Sequence, residues 1–201
     1  MGERMPCQPL SKEDRISVVL YRSGIVLITA VMVVFSYMFF NLSGSRSDPA
    51  ISLKFDFLIL ALYFATGLSV FFIHLYVSRF HRALKKLYYL SVAALVVLIL
   101  LGRGNALGVL IYKHYGPLLL LPVSGCIGFI TAKEAFCFRL LEGYIIALIL
   151  PLYLLFFAAG GMSARGALYG LTIITGLLVL FTFRKVFQPM HYDIGDKSAY
   201  S

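Results

Sequence analysis

The chain has 201 residues, of which 60% are hydrophobic and only 13% are charged, and its mean hydropathy is +0.88. Soluble domains are about 45–50% apolar and about 25% charged, and a body of this size buries only about two thirds of its surface. The composition therefore excludes a soluble globular domain and predicts a protein that lies in lipid. The net charge of +9 indicates anionic headgroups and topology control rather than nucleic acid, because the basic residues cluster between apolar runs.

Six apolar runs predict six transmembrane helices, although the third and fourth are short for a span of about 17–25 residues. Each run is predicted to be helical because an isolated strand cannot satisfy its backbone in lipid. The runs cover residues 18–42, 55–77, 87–102, 117–132, 144–159 and 167–183. The sequence thus predicts an all-α membrane bundle at 18–186, between a polar N-terminal tail at 1–17 and a polar C-terminal tail at 187–201.

The basic residues predict the orientation of this bundle. With six spans, the two tails and the second and fourth connections share one side and carry 13 of the 18 Lys and Arg residues. The other three connections carry the remaining 5. Cytoplasmic loops are enriched in Lys and Arg. Both termini are therefore predicted to be cytoplasmic.

Two connections contain short apolar or amphipathic segments. The segment ALGVLIY, residues 106–112, is too short to cross, so it predicts an interfacial or re-entrant helix in the third connection. The fourth connection contains TAKEAFCFRLLEGY, residues 131–144. On a helical wheel, Glu134, Arg139 and Glu142 fall opposite an apolar arc, and Arg139 and Glu142 are spaced to form a pair. This pattern predicts a second short interfacial helix, at 133–142.

The same stretch concentrates the candidate functional residues. They are Lys133, Glu134, Cys137, Arg139 and Glu142. Two carboxylates and a thiol within ten residues suggest a reaction centre, but the two glutamates are eight positions apart and their spacing does not require them to converge. The segment is therefore interpreted first as a connector or docking surface, and no catalytic residue is assigned.

Metal and cofactor chemistry has little support in the sequence. Cys7, Cys126 and Cys137 lack paired spacing, and no Cys or His motif with metal-ligand spacing occurs. No cofactor is predicted, and His74 is the one candidate to ligate a pigment such as chlorophyll. The alternative interpretation of His74 is a side chain that bonds to a neighbouring carbonyl or lies at the headgroups.

A basic run, SRFHRALKK, occupies residues 78–86. Arg79, Arg82, Lys85 and Lys86 are predicted to fix the topology and to bind anionic lipid headgroups, at about 1 kcal/mol for each base. No Lys, Arg, Asp or Glu lies near the middle of a predicted span. Ion-coupled carriers usually need such a group, so this class is disfavoured.

The segment CIGFITAKEAFCF, with EGYIIALILPLYLL downstream, resembles a family of uncharacterised integral membrane proteins of cyanobacteria and plastids. The residues that carry the resemblance are Lys133, Glu134, Ala135, Phe136, Cys137, Glu142 and Pro151. The resemblance implies a cyanobacterial plasma or thylakoid membrane, or the plastid equivalent. It brings no activity, and it favours Lys133, Glu134 and Cys137 as a family signature.

Two main classes of function remain open from the sequence, beside a pigment-binding protein that uses His74. The first is a non-catalytic accessory subunit or assembly factor that docks on a larger, photosynthetic membrane complex. The second is a small membrane enzyme or a facilitator for a lipid, pigment or quinone. In the second case Pro122 and Pro151 would kink the fourth and fifth spans and open a cleft near Glu134 and Cys137.

Overall fold

The computed structural model of the protein describes residues 11–41, 49–75, 77–190 and residue 193. All regular secondary structure in these residues is helical. The helices are α1 (Lys12–Phe40), α2 (Pro49–Phe72), α3 (Ser78–Gly102), α4 (Ala106–Tyr112), a 3₁₀ helix (Pro117–Leu120), α5 (Leu121–Phe138), α6 (Leu141–Ala158) and α7 (Ala164–Val186). Within the described residues, six spans are long and apolar enough to cross a membrane, the 3₁₀ helix and α5 forming one of them. The predicted six-span helical bundle is therefore confirmed.

Five of the six spans begin earlier than their apolar runs, and α1 and α3 show the cause. Helix α1 begins at Lys12 because Ser11 caps it: the Ser11 hydroxyl accepts from the Asp14 amide at 3.1 Å, and the Asp14 carboxylate accepts from the Ser11 amide at 2.9 Å. Helix α3 begins at Ser78, so the basic run lies on its first turns. Polar residues thus extend both helices beyond their apolar parts.

The two predicted short helices have different outcomes. The third connection does contain a short helix, α4, which Asn105 caps by accepting from the Gly108 amide at 2.8 Å. The separate interfacial helix predicted at 133–142 is wrong, because α5 continues through Phe138 and α6 begins at Leu141. Between them Arg139 adopts a left-handed conformation (φ 54°), which ends α5 abruptly.

Alternate helices run in opposite directions, so the starts of α1, α3 and α6 and the ends of α2, α5 and α7 share one end of the bundle. Contacts across this end include Ser17 with His74 and Arg22 with Asp193. We call it the charged end. Helix α4 and the 3₁₀ helix lie at the opposite end.

Small and hydroxylated residues set the distances between neighbouring helices. Gly24 of α1 lies against the backbone of α2, where an added Cβ would be 2.8 Å from the Ser69 amide nitrogen. Thr29 and Thr182 form a hydrogen bond of 2.6 Å that joins α1 to α7. Without a hydrophobic force between helices in lipid, such close backbones and interhelical hydrogen bonds supply the packing energy.

Helix α3 is the most peripheral span. Only 22% of its apolar 18-residue stretch is buried, against 33–50% in the corresponding stretches of the other five spans of the described chain. Tyr88 attaches it to α2 by donating to the Tyr63 carbonyl at 3.1 Å, and Leu87 packs on Gly125 of α5. Most of the α3 surface is therefore left for lipid or for another protein.

The two prolines occupy different positions in their helices. Pro122 lies in the first turn of α5, where the missing amide hydrogen would have no partner within the helix. Pro151 lies inside α6. The expected interruption of the fourth span at Pro122 is thus a helix start instead.

Candidate functional site

Six polar side chains meet inside the charged end of the bundle, and we call them the charged cluster. They are Tyr21, Arg22, Lys133, Glu134, Lys185 and Asp193. They come from the first half of α1, the last turns of α5 and α7, and the segment after α7. The cluster therefore joins three helices and the C-terminal segment.

Glu134 is the centre of the charged cluster and is completely buried. Its Oε1 atom accepts from the Tyr21 hydroxyl and from the Lys133 ammonium, each at 2.7 Å. Its Oε2 atom forms an ion pair with Lys185, although the angles of that contact are not those of a hydrogen bond. Three groups thus compensate the desolvation of one carboxylate, as a buried charge requires.

Lys185 links the two carboxylates of the cluster. Its ammonium, which is also completely buried, contacts both Glu134 and Asp193 and lies 4.0 Å from the centre of the Phe138 ring. This cation–π contact adds attraction where water is excluded. The end of α7 is thereby attached to the end of α5.

Arg22 fixes the segment that follows α7. Its Nε atom donates to Asp193 at 2.7 Å. Its remaining nitrogens donate to the carbonyl oxygens of Val186, Gln188 and Pro189 at 3.0, 2.6 and 3.2 Å. The guanidinium therefore satisfies carbonyl groups at the end of α7 that have no partner within the helix. Asp193, which the sequence places in the polar C-terminal tail, is thus packed against the bundle.

A second ion pair lies beside the charged cluster. Glu142, at the start of α6, accepts from the Arg184 guanidinium at 2.9 and 2.8 Å. Glu142 is buried, whereas the Arg184 side chain is 48% exposed. The sequence-based pairing of Glu142 with Arg139 is wrong, because the end of α5 at Arg139 separates the two residues and α7 supplies the partner.

The five residues proposed from the 131–144 stretch therefore separate into three groups. Lys133 and Glu134 belong to the charged cluster, and Glu142 pairs with Arg184. Cys137 and Arg139 are exposed. The predicted polar arc is also wrong in direction, since Glu134 is buried while Phe136 is 80% exposed.

His74 lies beside the charged end, in the connection between α2 and α3. Its Nε2 atom is 3.2 Å from the Ser17 hydroxyl, and its Nδ1 atom is buried without a hydrogen-bond partner in the described part of the chain. Burial and the nearby Lys133 charge lower the pKa of His74, against the opposite effect of Asp193 and Asp14. A pigment at Nε2 would have to displace Ser17, so pigment ligation by His74 stays a prediction.

The basic residues of α3 take no part in the charged cluster. Arg79, Arg82 and Lys86 are exposed, and the Lys85 ammonium lies 5.7 Å from the centre of the Phe71 ring. Within the described residues, no group of three or more His, Cys, Asp or Glu side chains has the arrangement of a metal site. Cys7 lies outside the described residues.

Tyr21, Arg22, Lys185 and Asp193 were not among the residues proposed from the sequence. Arg22 offered a signal, because an arginine inside an apolar run needs a partner. Asp193 offered none, because it lies in a polar tail and its partners are distant in sequence. Tyr21, Lys185 and Asp193, which are half of the cluster, could therefore be found only from the packing.

These features define a polytopic helical membrane protein whose buried charges pair with one another. The chain belongs to the family of uncharacterized integral membrane proteins DUF2301, whose family model matches residues 68–201. The matched part includes α3 to α7 and four of the six cluster residues. No curated protein and no solved structure matches the chain.

Proposed function

We propose that the protein is a non-catalytic accessory subunit or assembly factor that docks on a larger membrane protein complex. The resemblance of the 126–155 region to proteins of cyanobacteria and plastids favours a photosynthetic membrane, either the plasma membrane or the thylakoid, or its plastid equivalent. In this proposal both termini face the cytoplasm or the corresponding compartment.

The observation that carries this proposal is the peripheral position of α3. Its span is the least buried of the six in the described chain, and its first turns expose Arg79, Arg82 and Lys86. Further along, Val97 and Leu101 are 43% and 49% exposed. A helix with a basic start and an open apolar surface suits a partner helix whose end carries acidic residues.

The arrangement of the charged cluster agrees with a structural role. The reactive groups are engaged with one another, since Glu134 contacts Tyr21, Lys133 and Lys185. A general base or nucleophile needs access to a substrate. Glu134 is completely buried while Cys137 is exposed, so the two do not share an open cleft. The alternative from the sequence is a small membrane enzyme or a facilitator for a lipid, pigment or quinone. Only the facilitator part of it is favoured by a structural feature, the apolar cavity described below.

Anionic lipid is proposed as a further partner at the start of α3. Arg79, Arg82, Lys85 and Lys86 lie at the charged end, where headgroups of one leaflet meet the protein. Each base near such a surface contributes about 1 kcal/mol. Docking and lipid binding therefore use the same surface of α3. Only docking requires a protein partner.

Site-specific crosslinking tests the docking proposal. A photoreactive amino acid at Val97 of α3 should give one defined protein adduct in native membranes, whereas the same amino acid at Leu180 of α7, which is 49% exposed, should give none. Arg79→Glu with Arg82→Glu should reduce the adduct and the co-purified partner at least fivefold. Arg165→Glu, an exposed change at the opposite end, is the matched control.

The proposal is wrong if a mild detergent extract contains the protein only as a free 22.4 kDa chain and neither position yields an adduct. Lipid binding alone predicts a different result, namely a phospholipid adduct at Val97 with no protein adduct. These two results are separated by the mass of the product.

A further inference from the structure

An apolar cavity of about 110 Å³ lies inside the bundle, between the charged cluster and the opposite end. Side chains from α1, α5, α6 and α7 form its walls. Residues of α4 and the 3₁₀ helix, such as Leu110 and Pro117, line it towards the opposite end. The enclosure is partial, so the cavity communicates with the surroundings of the bundle.

The cavity is elongated along the bundle axis. Helix α1 lines it from Met32 to Phe39, α6 from Leu150 to Phe157, and α7 from Leu171 to Leu178. Each stretch rises through seven residues, or about 10 Å at 1.5 Å per residue. Three helices that contribute parallel stretches of equal length enclose a narrow slot parallel to the direction of lipid chains.

The described side chains that line the cavity offer no free polar group to water. Among the described lining residues, the two with hydroxyl groups are Ser124 and Tyr153. Ser124 donates to the Leu121 carbonyl at 2.8 Å, and Tyr153 donates to the Ala167 carbonyl at 2.9 Å. A buried water needs two to four polar partners, whereas an apolar cavity of about 150 Å³ stays dry and binds benzene. The chemistry of this slot therefore selects hydrocarbon.

We propose that the slot binds one hydrocarbon chain of a membrane amphiphile, either a fatty acyl chain or an isoprenoid chain. The shape is linear, the lining is apolar, and the surrounding solvent is itself hydrocarbon. The slot reaches Phe39 and Phe157, each next to the end of its helix, so the polar head of the amphiphile stays at the membrane surface of the opposite end.

The charged cluster does not take part in this site. Ile127 and Leu178 line the slot, and Glu134 and Lys185 follow them by seven residues, or about 10 Å. Phe181, which is completely buried, lies on α7 between the two regions. The inference is therefore independent of the docking proposal, and either can fail alone.

A single fluorophore tests the proposal, because the chain contains no tryptophan. The Phe157→Trp variant places an indole in the slot. The Phe156→Trp variant places it on the adjacent position, which is 58% exposed to lipid. Each purified variant in detergent is titrated with a dibrominated C18 fatty acid, whose bromines quench indole on contact. Saturable quenching is expected for Phe157→Trp, and quenching proportional to the acid-to-detergent ratio is expected for Phe156→Trp.

Filling the slot should abolish the saturable phase. Leu150→Phe, added to Phe157→Trp, should weaken the apparent affinity at least tenfold. Leu148→Phe on the same helix is the matched control, since Leu148 is 63% exposed, and it should change the affinity less than twofold. Should Leu150→Phe not fold, the comparison between the two tryptophan positions still decides.

Competition identifies the source of the chain. Displacement of the brominated acid by stearate at least tenfold better than by geranylgeraniol assigns the slot to acyl chains, and the reverse order assigns it to isoprenoids. Equal displacement supports a slot for either chain. The proposal is overturned if quenching of Phe157→Trp follows the acid-to-detergent ratio without saturation, as in Phe156→Trp.

Discussion

Lys185 of α7 and Glu134 of α5 form an ion pair in which both side chains are completely buried. Lipid offers no water to solvate either charge, so each depends on the other and on the remaining members of the charged cluster. Lys185 also contacts Asp193, and Glu134 also accepts from Tyr21. One pair thus connects α1, α5, α7 and the C-terminal segment at a single end of the bundle.

The first prediction concerns the charge of Glu134. Glu134→Gln keeps the size of the side chain and an acceptor for Tyr21, but it leaves Lys133 and Lys185 without their shared carboxylate. Removing one partner of a buried ion pair costs about 3–5 kcal/mol, and we expect the free energy of unfolding in detergent to fall by that amount. Adding Lys185→Met should recover part of the loss.

The matched control for this prediction is Glu142→Gln. The partner of Glu142, Arg184, is about half exposed and can turn to solvent, so the expected loss is about 1 kcal/mol or less. Equal losses of unfolding free energy for Glu134→Gln and Glu142→Gln would contradict this prediction. Strictly additive effects of Glu134→Gln and Lys185→Met would show that the members of the cluster are not coupled.

The second prediction concerns the attachment of the C-terminal segment. Asp193→Asn removes the charge that Arg22 and Lys185 share. The segment after α7 should then detach more easily, by at least about 1.4 kcal/mol, which is a factor of ten in the detached fraction. Chymotrypsin should therefore cleave after the exposed Phe187 at least tenfold faster. Asp56→Asn, which removes the charge of a carboxylate that accepts from the Ala106 amide, should leave this rate unchanged. An unchanged rate in Asp193→Asn would argue against the attachment.

The third prediction follows from the lowered pKa of His74. Burial and Lys133 lower this pKa from the reference value of 6.5. As pH falls below 6.5 the unfolded chain takes up the proton first, so the stabilisation is complete above pH 6.5 and is lost on acidification. The wild-type protein should therefore lose more unfolding free energy between pH 7.5 and 5.5 than His74→Gln. Equal losses in both proteins would contradict the lowered pKa.

Hydropathy was sufficient to predict the six spans, because each span must be apolar over most of its length. It failed at Lys133 and Glu134, where charge was interpreted as the membrane surface. In the structure both residues continue α5, because Tyr21 and Lys185 supply partners from 113 and 51 positions away. A helical wheel considers only neighbours within one segment, so it cannot detect such partners and it assigned Glu134 to the wrong face.

The last prediction concerns the orientation of the bundle in the membrane. Lys86 lies at the charged end and Lys113 at the opposite end, and both are exposed. Single cysteines at these positions, in a chain that also carries Cys7→Ser and Cys137→Ser, are expected to react with a membrane-impermeant maleimide from different sides. The remaining Cys126 is completely buried and should stay unlabelled.

Because basic segments remain cytoplasmic, Lys86→Cys should react only after the membrane is opened, and Lys113→Cys should react in intact cells. The reverse pattern would place the charged end outside and would refute the cytoplasmic assignment of both termini. If both positions are labelled from the same side, the chain does not cross the membrane an odd number of times between them. That result would contradict α3 as a span and the bundle as described.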